Sequence, residues 1–124
     1  MMRALVIDDS RTVRVIIRGI LRELGHEVHE AANGLEGLER LESIPGIELV
    51  LVDWNMPEMN GLEFIEAVRA QRIYDLVRIM MVTTETEQEQ LLRALDAGAN
   101  EYVMKPFTKE ILLAKLSLLD IHGE

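Results

Sequence analysis

Four apolar runs in this chain end on groups that can do chemistry. ALVIDDS (4–10) ends on Asp8 and Asp9, VLVDWNMPEMNG (50–61) breaks at Asp53, IMMVTTE (79–85) reaches Thr83 and Thr84, and YVMKPF (102–107) reaches Lys105 and Pro106. Taken singly, each group has a plain role. Asp8, Asp9 or Ser10 can cap the helix that follows, and Asp53 can start the turn before Pro57. Capping does not explain three acids if the fold brings these ends together, because two carboxylates ~4 Å apart repel by about 4 kcal/mol at an effective dielectric near 20. A hard divalent cation offsets that repulsion, and carboxylates with water in octahedral geometry suit Mg²⁺. His26, His29 and His122 stand at none of these ends, which argues against zinc. A metal between carboxylates, with an ammonium and a hydroxyl opposite, is an arrangement for a phosphoryl group. A carboxylate in line can then act as nucleophile and form an aspartyl phosphate. No Gly-rich phosphate loop is present, so nucleotide binding has no support.

The runs at 4–7, 49–52, 79–82 and 102–104 are continuous rather than alternating, as strands covered on both faces must be. Residues 27–31 (EVHEA) alternate and predict a half-exposed edge strand in which His29 is a tolerated polar position. Helical spacing predicts helices over 10–24, 34–41, 62–71, 87–97 and 109–119, with Gly25 and Gly98 at helix stops. In the first, Val13, Ile16, Ile17, Ile20, Leu21 and Leu24 form the apolar side, and Arg11, Arg14, Arg18 and Arg22 the polar one. Met80, Met81 and Met104 are expected as core filling, and Trp54 as a half-cover over the site. Five strands, each followed by a helix, make a doubly wound α/β (βα)5 unit. Short right-handed crossovers force a mostly parallel sheet between two helical layers, a three-layer sandwich. In such a sheet the C-terminal strand ends share one edge, where ligands bind. The four chemical ends therefore converge.

At 124 residues the chain suits one domain, 1–124, with no composition shift or linker to divide it. Hydrophobic residues are 48% and charged ones 28%, an ordinary globular balance. Thirteen Lys and Arg against 22 Asp and Glu give a net charge of −9, which disfavours direct binding to nucleic acid or anionic lipid. No apolar run is long enough to span a membrane, and the acidic start is wrong for a secretory signal. With no cysteine, a cytoplasmic setting is the default expectation.

The stretches VIDDS (6–10), VDWNMPEMNG (52–61), VTTE (82–85) and YVMKPF (102–107), in this order and spacing, resemble the receiver domain of bacterial two-component response regulators. The likeness runs over the whole chain and is greatest to the stand-alone chemotaxis type. It implies a flavodoxin-like sheet of order 2-1-3-4-5, an order that belongs to the family and does not follow from spacing. It implies that Asp53 is the phosphoacceptor. Asp9, Asp53 and the main-chain carbonyl of Asn55 would ligate Mg²⁺, with Asp8 acting mainly through water. Lys105 would hold the phosphoryl group, Thr83 would swing in to bond it, and Tyr102 would be the switch aromatic that moves inward behind Thr83. The Lys105–Pro106 peptide would be cis, against a prior of about 5–6% for an X-Pro bond. Asn55 and Glu85 flank the path of the hydrolytic water and imply a short-lived phosphorylated state. Thr84, where many relatives carry Ala, narrows access to Asp53.

The function so implied is a phosphorylation-controlled switch, not an enzyme with an external substrate. A histidine kinase supplies the phosphoryl group, and the surface of the fourth helix, fifth strand and fifth helix contacts a downstream protein or, on phosphorylation, a second copy. Leu112, Leu116 and Leu119 are expected in the core, leaving Ile111, Lys115 and Leu118, with Leu91 and Tyr102, as the output face. A phosphorelay intermediate is the alternative; a partner histidine domain that removes and retains the phosphoryl group would mark it. A phosphatase of the haloacid dehalogenase kind needs Asp-x-Asp at a strand end, and neither DDS (8–10) nor DWN (53–55) supplies it. The short tail after the last helix is expected of a single receiver rather than of a fragment.

Overall fold

The computed structural model describes residues 1–84 and 88–119, with the side chain of Gln88 left out. The elements run β1 (Arg3–Ile7), α1 (Arg11–Glu23), β2 (Glu27–Ala31), α2 (Gly34–Ser43), β3 (Ile47–Asp53), α3 (Gly61–Arg69), a 3₁₀ turn (Arg72–Tyr74), β4 (Arg78–Thr84), α4 (Gln88–Ala97), β5 (Glu101–Lys105) and α5 (Lys109–Ser117). The strands form one parallel sheet of order β2-β1-β3-β4-β5, the doubly wound (βα)5 arrangement expected. β2, the alternating strand, lies on the edge and pairs only with β1.

Alternate residues of each strand point to opposite faces, and each face has its own core. Leu5, Ile7, Val50, Val52, Ile79 and Met81 pack under α2, α3 and α4. Ala4, Val6, Leu49, Leu51, Met80 and Val82 pack under α1 and α5. Val50 to Val52 of β3 and Ile79 to Val82 of β4 are almost fully buried, which is why those runs do not alternate.

Local chemistry sets where the helices begin. Ser10, Asn33, Asn60 and Thr108 each accept a hydrogen bond from the amide three residues on. Asn60 and Glu63 complete a capping box, the Glu63 carboxylate accepting from the Asn60 amide at 3.0 Å. Gly25 (φ 88°) and Gly98 (φ 121°) take the left-handed conformation just past α1 and α4.

Several expectations need correcting. Ile16 and Leu24, assigned to the apolar side of α1, are 53% and 42% exposed, because the sheet covers only the narrower stripe of Ile17 and Leu21. Met104 is half-exposed near the end of the edge strand β5, not core filling. Trp54 is buried among the residues beneath α3 rather than half-covering the site. Arg72–Tyr74, to which the sequence reading assigned no element, forms a 3₁₀ turn. The predicted helix start at Glu87 and the predicted site residue Glu85 lie outside the described residues.

Phe64, wholly buried under the sheet, is the largest of the fully buried side chains. Phe64→Ala should cost about 3–5 kcal/mol, a large part of a small domain's stability, read as a lowered urea midpoint with an unchanged slope.

Candidate functional site

The register sets the strand ends side by side: Ile7 opposite Val52, Asp53 opposite Val82, and Thr84 opposite Lys105. Four of the predicted groups meet there. Lys105 Nζ donates to Asp8 Oδ2 at 3.1 Å and to Asp53 Oδ1 at 3.3 Å. Asp8, Asp9 and Asp53 each present a carboxylate oxygen, all within 4.8 Å of one another. Asp8 and Asp53 are buried, whereas Asp9 faces solvent. Thr83 is buried next to them, its hydroxyl donating to the Thr84 carbonyl at 3.4 Å. The Lys105–Pro106 peptide is cis, as the resemblance implied.

Burial raises the pKa of Asp53 and the Asp8 charge raises it further; Lys105 offsets part, leaving it at about 6. For Lys105, burial alone would lower the pKa, but Asp53 and Asp8 outweigh it and hold it above the ordinary lysine value. Three carboxylates face one ammonium. The donor set is all oxygen, two of the acids are buried, and Asp53 is uncomfortable as an anion, so the pocket fits a hard divalent cation. Asp8, Asp9 and Asp53 are the side chains that would hold it.

The turn after Asp53 is held by close backbone packing. Trp54 N–H donates to the Val82 carbonyl (3.2 Å), Gly61 N–H to Trp54 (3.0 Å) and Gly34 N–H to Met59 (3.3 Å). A Cβ on Gly61 would lie 2.5 Å from the Asp53 carbonyl oxygen and 3.1 Å from Trp54 Cα. Only glycine allows α3 to start this near the strand end. Glu58, at φ 70°, stores strain of order 1 kcal/mol in the same turn. Asn55 is exposed within it.

Some contributors escaped the sequence reading. Asp8, read only as a group near the metal, also bonds Lys105 and accepts from the Ser10 amide at 2.8 Å. Arg14 holds the Asp8 carbonyl at 2.5 Å and the Glu30 carboxylate at 3.1 Å, and Arg18 pairs with the same Glu30. The recurrence of Arg at 11, 14, 18 and 22 hinted at a helix face, but not at what it touches. Ile16 lines an apolar hollow of about 440 Å³ with Val13, Thr84, Lys105, Pro106 and Phe107, beside the acidic pocket.

The output-face residues are arranged as follows. Tyr102 is half-buried on the same sheet face as Thr83, since Met81 pairs with Tyr102 and Thr83 with Met104. Lys115 Nζ stands 3.8 Å over the Tyr102 ring and 3.5 Å from Glu101. Ile111 and Leu118 are 47% and 66% exposed, while Leu112 and Leu119 are buried and Leu116 packs against them. Leu91 is half-buried; the exposed apolar residues of α4 are Leu92 and Leu95.

A (βα)5 sheet of order 2-1-3-4-5 with this acid and lysine pocket at its C-terminal edge defines a receiver, and the model of the response regulator receiver domain matches residues 4–117. The chain belongs to that family. Within it, the chain is of the CheY-like type. It is 47% identical to a chemotaxis protein CheY homolog of Campylobacter jejuni over 116 residues, 93% of this chain and 89% of that protein. It is 44% identical to chemotaxis protein CheY1 of Helicobacter pylori over 119 residues, 95% of this chain and 96% of that protein. The structure of CheY4 from Vibrio cholerae superposes with a TM-score of 0.89 at 37% identity, covering 96% of this chain and 98% of that one. A probable two-component response regulator/GGDEF domain protein gives 0.90 at 34% identity over 96% of this chain, which spans only 49% of that one. The protein thus has the general two-component role of a receiver.

Two outcomes follow from this geometry. Gly61→Ala should displace the turn, lowering stability by about 1–3 kcal/mol and slowing modification of Asp53, measured by urea unfolding and intact mass. With its folded pKa near 6 above the ordinary 3.8, Asp53 binds more protons folded than unfolded between those values. In chelator, wild-type stability should therefore fall as pH rises from about 4 to 6, and Asp53→Asn should lack that slope in urea melts.

Proposed function

We propose that this protein is a phosphorylation-controlled switch of the cytoplasm, which accepts a phosphoryl group on Asp53 from a histidine kinase in a Mg²⁺-dependent reaction. The observation that carries the reading is the Lys105 ammonium bridging Asp8 and Asp53, with Asp9 beside them. An Asp53 carboxylate oxygen attacks phosphorus in line with the donor imidazole. The P–N bond breaks, the imidazole leaves, and an acyl phosphate remains on Asp53. Asp9, Asp53 and the main-chain carbonyl of Asn55, with Asp8 acting mainly through water, would hold Mg²⁺, which would supply positive charge against the phosphoryl oxygens. Lys105 then releases Asp53 and donates to a phosphoryl oxygen. The apolar hollow at Ile16 and Phe107 opens beside Lys105 and offers a seat for the donor's surface.

Output follows from new hydrogen bonds. Shifting a population from 1:99 to 99:1 takes about 5.5 kcal/mol, and charge-assisted bonds from Lys105 and Thr83, each of ~1.5–3 kcal/mol, approach that. Drawing the Thr83 hydroxyl toward phosphate releases the Thr84 carbonyl and opens space on the face it shares with Tyr102. Tyr102 moves inward, Lys115 loses its ring, and the α4–β5–α5 surface with Leu92, Ile111 and Leu118 is recast for a protein partner. Water attack past Asn55, Glu85 and Thr84 ends the signal. The protein catalyses only its own phosphorylation and dephosphorylation.

Incubation with a small phosphodonor and Mg²⁺ should add one hydroxylamine-labile phosphoryl group to the wild type and none to Asp53→Asn, read by intact mass. The same label on Asp53→Asn would overturn the site. Leu118→Asp should still be phosphorylated at the wild-type rate yet lose partner binding at least tenfold in a pull-down or titration, roughly the loss of one interface anchor.

A further inference from the structure

The acidic pocket is braced from outside by a cation that gives it no ligand. Arg14 lies in the first turn of α1, its amide donating to the Ser10 carbonyl at 3.1 Å. Helical side chains lean toward the N-terminus of their helix, so the guanidinium reaches back over that turn to the end of β1. There Nη1 donates to the Asp8 carbonyl at 2.5 Å, and Nε donates to Glu30 Oε1 at 3.1 Å. Glu30 stands opposite Val6 in the β1–β2 register, on the sheet face that packs under α1. Its second carboxylate oxygen takes Arg18, and its carbonyl accepts from Arg40 Nε at 3.2 Å. The group that holds Arg14 is thus itself held. With side-chain exposures of 16% for Arg14 and 24% for Glu30, the pair is screened by solvent less than a surface pair.

The Asp8 carbonyl and the Asp9 amide share one rigid plane. Asp8 is tied on every side: its amide to the Ala31 carbonyl at 3.1 Å, its carboxylate to the Ser10 amide and Lys105. Asp9 differs. It is exposed, and its carboxylate forms no hydrogen bond or ion pair among the described residues, yet it stands with Asp8 and Asp53 as a group able to hold a cation. We propose that Arg14 is a positioning residue for the pocket, fixing the plane of the Asp8–Asp9 peptide so that the Asp9 carboxylate is aimed toward Asp8 and Asp53, with Glu30 keeping Arg14 in place. This role rests on the Mg²⁺-dependent reading above. Charge alone predicts the opposite effect, because a guanidinium near a divalent cation repels it. Removing Arg14 tightens Mg²⁺ binding if only its charge matters, and weakens binding if its grip on the backbone matters more.

Titration calorimetry of the full chain with MgCl₂, in the absence of any phosphodonor, tests this. Arg14→Met keeps an apolar stem and removes the guanidinium. It should weaken Mg²⁺ binding about tenfold, as loss of a group that orients a metal ligand does. Glu30→Gln should act in the same direction, and the double variant should bind no more weakly than Arg14→Met, because Glu30 acts through Arg14. General loosening of the fold is controlled by Arg69→Met at the far end of α3, which loses bonds to the Gly98, Tyr74 and Val77 carbonyls. That variant should lower the urea midpoint and leave Mg²⁺ affinity at the wild-type value. Mg²⁺ binding that Arg14→Met leaves unchanged or tightens overturns the positioning role, as does an equal loss in Arg69→Met or an additive loss in the double variant. A wild type that takes up no Mg²⁺ overturns the reading of the pocket itself, and the role of Arg14 with it.

Discussion

One ammonium group held between two buried carboxylates organises the C-terminal edge of the sheet. Lys105 comes from the end of β5, Asp8 from the residue after β1 and Asp53 from the end of β3, so this contact joins elements far apart in the chain. It is underpowered by design of the charge count. Three acids and one base leave a deficit that burial makes more costly, and the raised pKa of Asp53 is its direct expression. A pocket in that condition gains free energy from a cation and then from a group that carries its own hydrogen-bond acceptors. The same imbalance that strains the resting site makes it responsive.

The scaffold keeps that tension from relaxing. Parallel pairing with fixed register aligns Ile7, Val52, Val82 and Thr84 so that the residues beyond them cannot drift apart. Two cores, one under α1 and α5 and one under α2, α3 and α4, clamp the sheet from both faces. Close to the site the constraint is backbone on backbone, at Gly61 against Asp53 and at Gly34 against Met59. Arg14 ties the first helix to the Asp8 carbonyl and to Glu30 of the edge strand, so α1 is anchored to the pocket as well as to the core.

The molecule places its surfaces at separate poles. Chemistry occupies the C-terminal strand ends, the half-buried Tyr102 with its overlying Lys115 marks a lateral face, and Ile73 and Leu76 stand at the N-terminal end. Thr83 and Tyr102 lie on one face of the sheet, between the pocket and that lateral face.

Much of this was legible from residue types and spacing. Continuous apolar runs meant strands covered twice, alternation in EVHEA meant an edge, and acids, hydroxyls and a lysine just past the runs marked the active edge, because covalent order and right-handed crossovers leave few alternatives. A cap at Ser10 and stops at Gly25 and Gly98 were likewise written in short-range chemistry. What needed the tertiary structure was every property set by a neighbour distant in sequence. Trp54 is buried in the core beneath α3, and Ile16 is exposed because the sheet covers only the stripe of Ile17 and Leu21. Asp8 bonds Lys105 because β5 runs past the level at which β1 ends and the long lysine side chain reaches back over the edge. The sequence by itself determined which groups gather at the edge; only packing decided their distances, their burial and hence their charge state, since those depend on contacts between residues that spacing along the chain does not encode.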